Sequence, residues 1–293
     1  MNLHFLINIS SDTENLYGVR FFNSFFEDSG SCNVTLFHIS RLDSSDGSQS
    51  LMKMWEGPGE ENINGDLTVG AKKALDKARR YLEGNQVVIE QVKTKTVRER
   101  YGKVRDILSE GRQGLYDAII LGRRATYALQ WLYERPGDEI AQALIQETSL
   151  NCPLWICSEP EEGRKNVLLC VDGSEESLRA ADHVGYILSR ARQHGATVFH
   201  VTSSPKADAG KILDQAADVL LSHGVAEERI QRKSSWGMST ANTILAEKNS
   251  GLYAAVAIGL HAHKETKGIL GQQGGITSNL VKKISKAALW CCP

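Results

Sequence analysis

The chain has 293 residues, a net charge of -1 and 41% hydrophobic residues, a composition typical of a globular protein with room for two domains. A net charge near zero gives no bulk attraction to nucleic acid or to an anionic membrane, so neither is expected as a partner. No apolar run approaches the roughly 20 residues that cross a bilayer, and scattered cysteines without a CxxC pair favour a reduced, cytoplasmic setting.

The first half begins with two apolar strands, at 6–10 and 34–40. An insertion follows at 42–66; because it is rich in Ser, Gly and acidic residues, we expect it to lack a core of its own. ILSEGRQGLYDAIILG at 107–122 is predicted to be a helix followed by a strand, and PLWIC at 153–157 is predicted to be the last strand of this half.

The second half repeats this order with clearer boundaries. Ser174 and Gly195 are the predicted N-terminal and C-terminal caps of its first helix. Strands that alternate with helices indicate βαβ units and a mostly parallel sheet, and the uninterrupted apolar strands suit a sheet covered on both faces. Strands are predicted at 167–171, 196–201, 229–233, 253–258 and 288–292, and helices at 173–195, 209–222, 240–248 and 276–285.

The two halves also match in sequence. ILAEKNSGLYAAVAIG at 244–259 is identical to 107–122 at eight of sixteen positions, at an offset of 137. ATVFHVT at 196–202 matches VTLFHIS at 34–40 at an offset of 162, and the insertion accounts for the difference of 25. The sequence therefore predicts a tandem duplication of one domain, at 1–158 and 165–293.

KNVLLCVDGSEES at 165–177, followed by VFHV at 198–201 and by a glycine-ended strand before a Gly-rich loop, resembles the universal stress protein family. The resemblance covers essentially the whole chain as a tandem pair. It implies an α/β fold of two doubly wound, mostly parallel five-stranded sheets of strand order 3-2-1-4-5, related as a pseudo-twofold pair. It also implies a cytoplasmic stress-response protein, dimerisation through the last strand and, in many members, ATP binding without strong catalysis.

A sheet of order 3-2-1-4-5 opens a crevice between strands 1 and 4, at their carboxyl ends. A carboxylate there accepts hydrogen bonds from ribose or adenine, a strand backbone pairs with an adenine edge, and glycines before a helix let a phosphate approach. The predicted binding residues for ATP or another adenine nucleotide are Asp172, Val201, Gly259, Gly274, Gly275 and Thr277.

Both copies depart from the family pattern of the nucleotide-binding members. In the second copy Ala262 replaces a glycine, Gly275 stands where a hydroxyl residue belongs, and Thr277 is displaced. In the first copy Ser10 replaces the aspartate and Asp138 would repel a phosphate. We therefore predict one nucleotide site per chain, in the second copy.

Each of these features also has a purely structural interpretation. Asp172-Gly-Ser is a common turn and N-cap, and the glycine cluster is compatible with a flexible loop. His261 and His263 lack a third ligand, so no metal site is predicted. Three hypotheses stay open: a nucleotide-binding stress regulator, a nucleotide-free interaction scaffold and an adenylate-handling enzyme. The enzyme ranks last because no acid–base pair or nucleophile constellation is present.

The last strands of the two copies, PLWIC at 153–157 and ALWCC at 288–292, are apolar and would lie at the edges of their sheets. Because a bare apolar edge invites aggregation, we expect the two strands to pair antiparallel with each other inside the chain. Trp155 and Trp290 would then lie near the pseudo-twofold axis, mostly buried. Assembly of two whole chains into a homodimer is left open.

Overall fold

The computed structural model describes residues 2–27, 30, 32–40, 67–84, 87, 89–123, 151–204, 206–260 and 275–293. The predicted insertion at 42–66, Asp138, His261, His263 and Gly274 all lie outside the described residues. None of the described helices combines the length and the apolar character that a membrane span requires.

The N-terminal half alternates strands with helices. Its elements are β1 (Leu3–Asn8), α1 (Tyr17–Phe25), β2 (Cys32–Ser40), α2 (Val69–Glu83), β3 (Val92–Arg98), α3 (Lys103–Gln113), β4 (Ala118–Gly122) and β5 (Leu154–Cys157), with a short 3-10 turn at Ile89–Gln91.

The C-terminal half has the same order of elements. They are β6 (Lys165–Cys170), α4 (Glu175–Leu188), β7 (Ala196–Thr202), α5 (Gly210–Ser222), β8 (Ile230–Trp236), α6 (Thr240–Ser250), β9 (Tyr253–Gly259), α7 (Ile276–Lys283) and β10 (Ala288–Cys292), with a 3-10 turn at Glu227–Arg229.

All ten strands form one sheet, in the order β3-β2-β1-β4-β5-β10-β9-β6-β7-β8. Each half has the order 3-2-1-4-5, but the two five-stranded sheets are not separate. They are joined because β5 and β10 pair antiparallel, with Trp290 opposite Trp155, whereas the other paired strands are parallel. The two apolar strands that would otherwise be edges therefore occupy the middle of the sheet.

Helices cover both faces of the sheet. One apolar layer contains residues of α1, α2, α4 and α5, among them Phe22 and Val184. The opposite layer contains residues of α3, α6 and α7, among them Ile107, Ile244 and Leu280. Both layers run through the two halves of the chain, so the halves share a continuous core.

The first helix of the second half is shorter than the sequence indicates. Ser174 is its N-cap, since its Oγ accepts the Ser177 N–H at 3.2 Å. The helix ends at Leu188, so the prediction of Gly195 as its C-terminal cap is wrong. Gly195 instead precedes β7, where an added Cβ would lie 2.5 Å from the Arg229 carbonyl oxygen. A long-range approach of two backbones requires this glycine, and local patterns do not show such an approach.

Candidate functional site

Three predicted site residues lie at or just beyond the carboxyl ends of neighbouring strands. β6 lies between β7 and β9. The strands that follow it in the chain lie on both sides of it, β7 and β8 on one side and β9 and β10 on the other. Asp172 lies two residues beyond the end of β6, Val201 lies near the end of β7, and Gly259 ends β9. Because these strands are parallel, their carboxyl ends form one crevice.

Asp172 shapes the turn that leads into α4. Its Oδ1 accepts hydrogen bonds from the Ser174 N–H at 3.0 Å and from the Ser174 hydroxyl at 2.5 Å. Gly173 between them has φ +84°, a conformation that favours glycine. Glu175 and Glu176 occupy the first turn of α4. The concentration of carboxylates at this helix start disfavours a phosphate there.

The start of α7 offers a different electrostatic setting. Gly275 is its N-cap, with no side-chain capping bond, and the first turn contains no acidic residue. An added Cβ on Gly275 would meet no atom of the described residues within 4 Å, so these residues leave the approach to the backbone open. Because α7 connects β9 to β10, it begins at the carboxyl edge that carries Asp172. Of the two helices that begin at this crevice, α7 is therefore the one suited to hold a phosphate.

Gly259 is required by packing. A Cβ added there would lie 2.3 Å from the Glu176 carbonyl carbon and 2.4 Å from its oxygen. The end of β9 therefore passes directly against the first turn of α4. A side chain at this position would push the helix away from the sheet, whether or not a ligand binds.

Gly259→Ala is expected to lower the free energy of unfolding by about 2–3 kcal/mol, because backbone atoms of α4 must move to admit the methyl group. Urea unfolding followed by circular dichroism measures the loss.

The control is Gly122→Ala at the end of β4, the corresponding position in the first half. Among the described residues outside its chain neighbours, the nearest atom to its added Cβ is the Gly18 nitrogen, at 3.4 Å. We expect a change below about 1 kcal/mol. Equal losses in the two variants would contradict the packing explanation.

Two histidines fix the ends of the first strands, and sequence reasoning missed this role. The His200 Nδ1 donates to the Val171 carbonyl at 2.7 Å, and the His38 Nδ1 donates to the Ile9 carbonyl at 2.8 Å. Burial lowers the pKa of His38. The signal was present in the sequence as the histidine shared by VFHV and LFHI. Each histidine positions the backbone directly before Asp172 or its counterpart Ser10.

A small cavity lies at the corresponding crevice of the first half. Ile7, Asn15, Gly18 and Gly122 are among the residues around a cavity of about 40 Å³, which is room for a few waters. The Ser10 hydroxyl accepts the Asp12 N–H at 3.3 Å. No carboxylate stands at position 10 to receive a ribose.

Arg123, which follows β4, contacts the second half of the chain. Its side chain donates to the carbonyl oxygens of Lys282, at 2.6 Å, and of Ile284. These carbonyls lie at the C-terminal end of α7, where a positive charge is favourable. Arg123 therefore ties the end of β4 to the helix whose other end is the candidate phosphate site.

Two other candidate chemistries concern metal ions and thiols. Within them, no group of three or more His, Cys, Asp or Glu residues is placed to hold a metal ion. Cys291 and Cys292 are buried, and burial raises the pKa of both thiols. These thiols therefore stay protonated and are poor nucleophiles.

The universal stress protein family model matches residues 163–287. A universal stress protein from Archaeoglobus fulgidus DSM 4304 matches 99% of this chain and 97% of its own, with 15% identity and a TM-score of 0.64. A putative universal stress protein from Pseudomonas aeruginosa UCBPP-PA14 matches 99% and 92%, with 13% identity and a TM-score of 0.58. A universal stress protein in complex with cAMP matches 44% and 95%, with 22% identity and a TM-score of 0.36. The comparison with curated proteins finds no match.

At these identities the two full-length structures show that the fold extends over both halves of the chain. The family model identifies the second half in particular. Residues 163–287 therefore form a domain of the universal stress protein family, and the N-terminal half repeats that fold.

Proposed function

We propose that this chain is a cytoplasmic stress-response regulator whose C-terminal domain binds ATP or a related adenine nucleotide. The observation that carries the proposal is the start of α7, which has no side-chain cap and no acidic residue in its first turn, and where no described residue lies within 4 Å of a Cβ added to Gly275. It begins at the same edge of the sheet as the crevice between β6 and β9. Nucleotide occupancy would then alter the contacts that the protein makes with its partners.

Each residue has a distinct role in this proposal. The Asp172 carboxylate accepts hydrogen bonds from the ribose, and the backbone at Val201 pairs with the adenine edge. The amides at the start of α7, with Gly274, Gly275 and the Thr277 hydroxyl, hold the phosphates. Gly259 keeps the floor of the crevice narrow by allowing β9 to lie against α4.

Mass spectrometry of the denatured, purified protein tests whether a nucleotide is bound at all. ATP, ADP or AMP released in stoichiometric amount would support the proposal. Calorimetry with ATP, ADP, AMP and cAMP then gives the stoichiometry, for which we expect one site per chain. Two equivalent sites would contradict the assignment to the C-terminal domain.

Asp172→Ala is expected to weaken nucleotide binding about 10- to 100-fold, because a charge-assisted hydrogen bond contributes about 1.5–3 kcal/mol. Asp172→Asn keeps an acceptor for the Ser174 N–H and so preserves the turn. We expect it to weaken binding less. Calorimetry measures both effects.

Ser10→Ala is the matched control, since it also removes a side-chain acceptor from the turn after the first strand. We expect no change in nucleotide affinity. If Ser10→Ala weakened binding as much as Asp172→Ala, the site would not be confined to the second half.

A nucleotide-free interaction scaffold is the second candidate. The turn bonds to Ser174 and the close approach to Glu176 give Asp172 and Gly259 sufficient structural roles without any ligand. In this case the pairing of β5 with β10 would supply within one chain the partner that a single-domain relative must find in a second. Purified protein without nucleotide, and without measurable affinity for any, would favour this candidate.

A further inference from the structure

The strands at the two ends of the sheet, β3 and β8, occupy equivalent places in the two halves. Both have a lysine paired with a buried glutamate on the following helix. Lys95 contacts Glu110 at 2.8 Å, and Lys233 contacts Glu247 at 2.8 Å. The two edge strands, β3 and β8, are therefore alike in this lysine–glutamate contact.

At the end of the sheet formed by β8, the remaining positive charge is also paired with acidic residues. Over 231–242 the only other cation is Arg232, which contacts Asp214 at 3.0 Å and Glu227 at 2.6 Å. Charge at this end of the sheet is therefore balanced within the domain.

The N-terminal end is different. Residues 93–105, KTKTVRERYGKVR, contain six cations and one acid. Arg100 and Arg105 are exposed and form no ion pair with any residue in the described ranges, and between them the Tyr101 side chain is 73% exposed. A protein with a net charge of -1 thus concentrates positive charge on the connection between β3 and α3.

Neither helix stability nor edge protection explains this concentration. Lys103 and Arg105 lie in the first turn of α3, where positive charge is unfavourable to the helix. A lysine is enough to protect an edge strand from pairing. The other edge strand, β8, has only cations that are paired with acidic residues. The excess charge therefore has a different purpose.

The connection is also held in a defined shape. The Arg100 and Tyr101 N–H groups donate to the two carboxylate oxygens of Asp106, at 2.9 and 3.2 Å. Gly102 follows with φ +94°. Arg100, Tyr101 and Arg105 are thus presented on a preorganised turn, which reduces the entropy lost when a partner binds.

We propose that the connection between β3 and α3, residues 98–105, is a docking surface for an acidic segment of a partner protein. Guanidinium groups bind carboxylates through paired hydrogen bonds, and the Tyr101 ring offers an apolar contact between them. The patch is too small for the row of phosphate contacts on which nucleic-acid binding depends. The surface lies in the N-terminal domain and does not depend on the nucleotide site.

The test uses a short fluorescein-labelled peptide in which Glu alternates with Leu, and fluorescence anisotropy at an ionic strength of about 0.15 M. The double variant Arg100→Glu/Arg105→Glu is expected to bind this peptide at least about tenfold more weakly. Tyr101→Ala is expected to weaken it about threefold. Hydrogen exchange with the peptide bound should show added protection at 98–105.

The control is Lys206→Glu/Lys211→Glu, which makes the same change in net charge at exposed positions of the C-terminal domain. We expect its peptide affinity to stay within about twofold of the original. Equal losses in the two double variants would show bulk attraction only and would overturn the proposal. Tighter binding of single-stranded DNA than of the peptide would also overturn it, because the class of partner would be wrong.

Discussion

Raising the pH from about 8.5 to about 10 is expected to unfold the protein. Five thiols drive this loss, since burial raises the pKa of Cys152 to about 12 and raises those of Cys157, Cys170, Cys291 and Cys292 as well. In the unfolded chain these thiols ionise near pH 8.5. Above that pH the unfolded state loses protons that the folded state keeps, so the free energy of unfolding falls.

The size of the effect follows from the number of thiols. Each contributes about 1.4 kcal/mol per pH unit, so five contribute about 7 kcal/mol per pH unit. Their stabilisation is complete below the unfolded pKa and is lost as the pH rises towards the folded pKa. Since domains are commonly stable by about 5–15 kcal/mol, unfolding is expected near pH 10. Urea titrations at a series of pH values, with a reductant present, measure the slope.

Lys248 has the opposite effect on the pH dependence of the free energy of unfolding. It is buried, and burial lowers its pKa to about 8 while its ammonium donates to the Ser285 carbonyl at 2.7 Å. Between about pH 8 and 10.4 the folded state loses this proton first. Stability from this group therefore rises with pH and offsets about one thiol.

The double variant Cys152→Ala/Cys291→Ala is the control for the thiol argument. It is less stable at neutral pH because two buried side chains are shortened. The decisive quantity is the slope, which should fall by about 3 kcal/mol per pH unit. An unchanged slope would assign the alkaline transition to other groups.

The sequence repeat predicted the duplication correctly, and the structure explains part of its persistence. In the first half the Tyr116 hydroxyl donates to Glu110 at 2.8 Å, and an added Cβ on Gly114 would lie 1.9 Å from the Tyr116 ring. In the second half the Tyr253 hydroxyl likewise donates to Glu247, at 3.2 Å. An added Cβ on Gly251 would lie 2.2 Å from the Tyr253 ring. Packing at the amino end of the fourth strand therefore requires these identical positions, independently of any ligand.

The alternation of strands and helices and the Asp172 turn were also accessible from the sequence, because alternating apolar segments and turn residues are local signals. The strand order 3-2-1-4-5 came from the resemblance to the universal stress protein family. The roles of Gly195 and Gly259 were not accessible from the sequence. Each glycine is needed where a distant backbone passes, at Arg229 and at Glu176. The prediction that the two sheets join rested on a different argument, that two apolar edge strands need partners. Local sequence patterns therefore predict the elements and turns, but they do not predict contacts between segments that are far apart in sequence.

Trp155→Ala is expected to lower the free energy of unfolding by about 3–5 kcal/mol. Trp155 is fully buried where the two halves meet, and its ring stacks on that of Trp290 with centroids 4.0 Å apart and planes 4° apart. Its Nε1–H donates to the His183 Nε2 at 3.0 Å. Burial lowers the pKa of His183 to about 3, which keeps this nitrogen an acceptor. Trp236→Ala, at a tryptophan that is 50% exposed, should cost less than about 1 kcal/mol.

The two stacked tryptophans differ in one respect that gives a sharper test. Trp155→Phe removes the hydrogen bond to His183, whereas the Trp290 Nε1 is buried without a hydrogen-bond partner among the described residues. Trp290→Phe therefore removes an unsatisfied donor while keeping an aromatic ring in the stack. We expect Trp155→Phe to be the more destabilising of the two by about 1–3 kcal/mol. Urea unfolding of both variants measures the difference. Equal losses would mean that the ring contacts, and not the bond to His183, hold the two halves together.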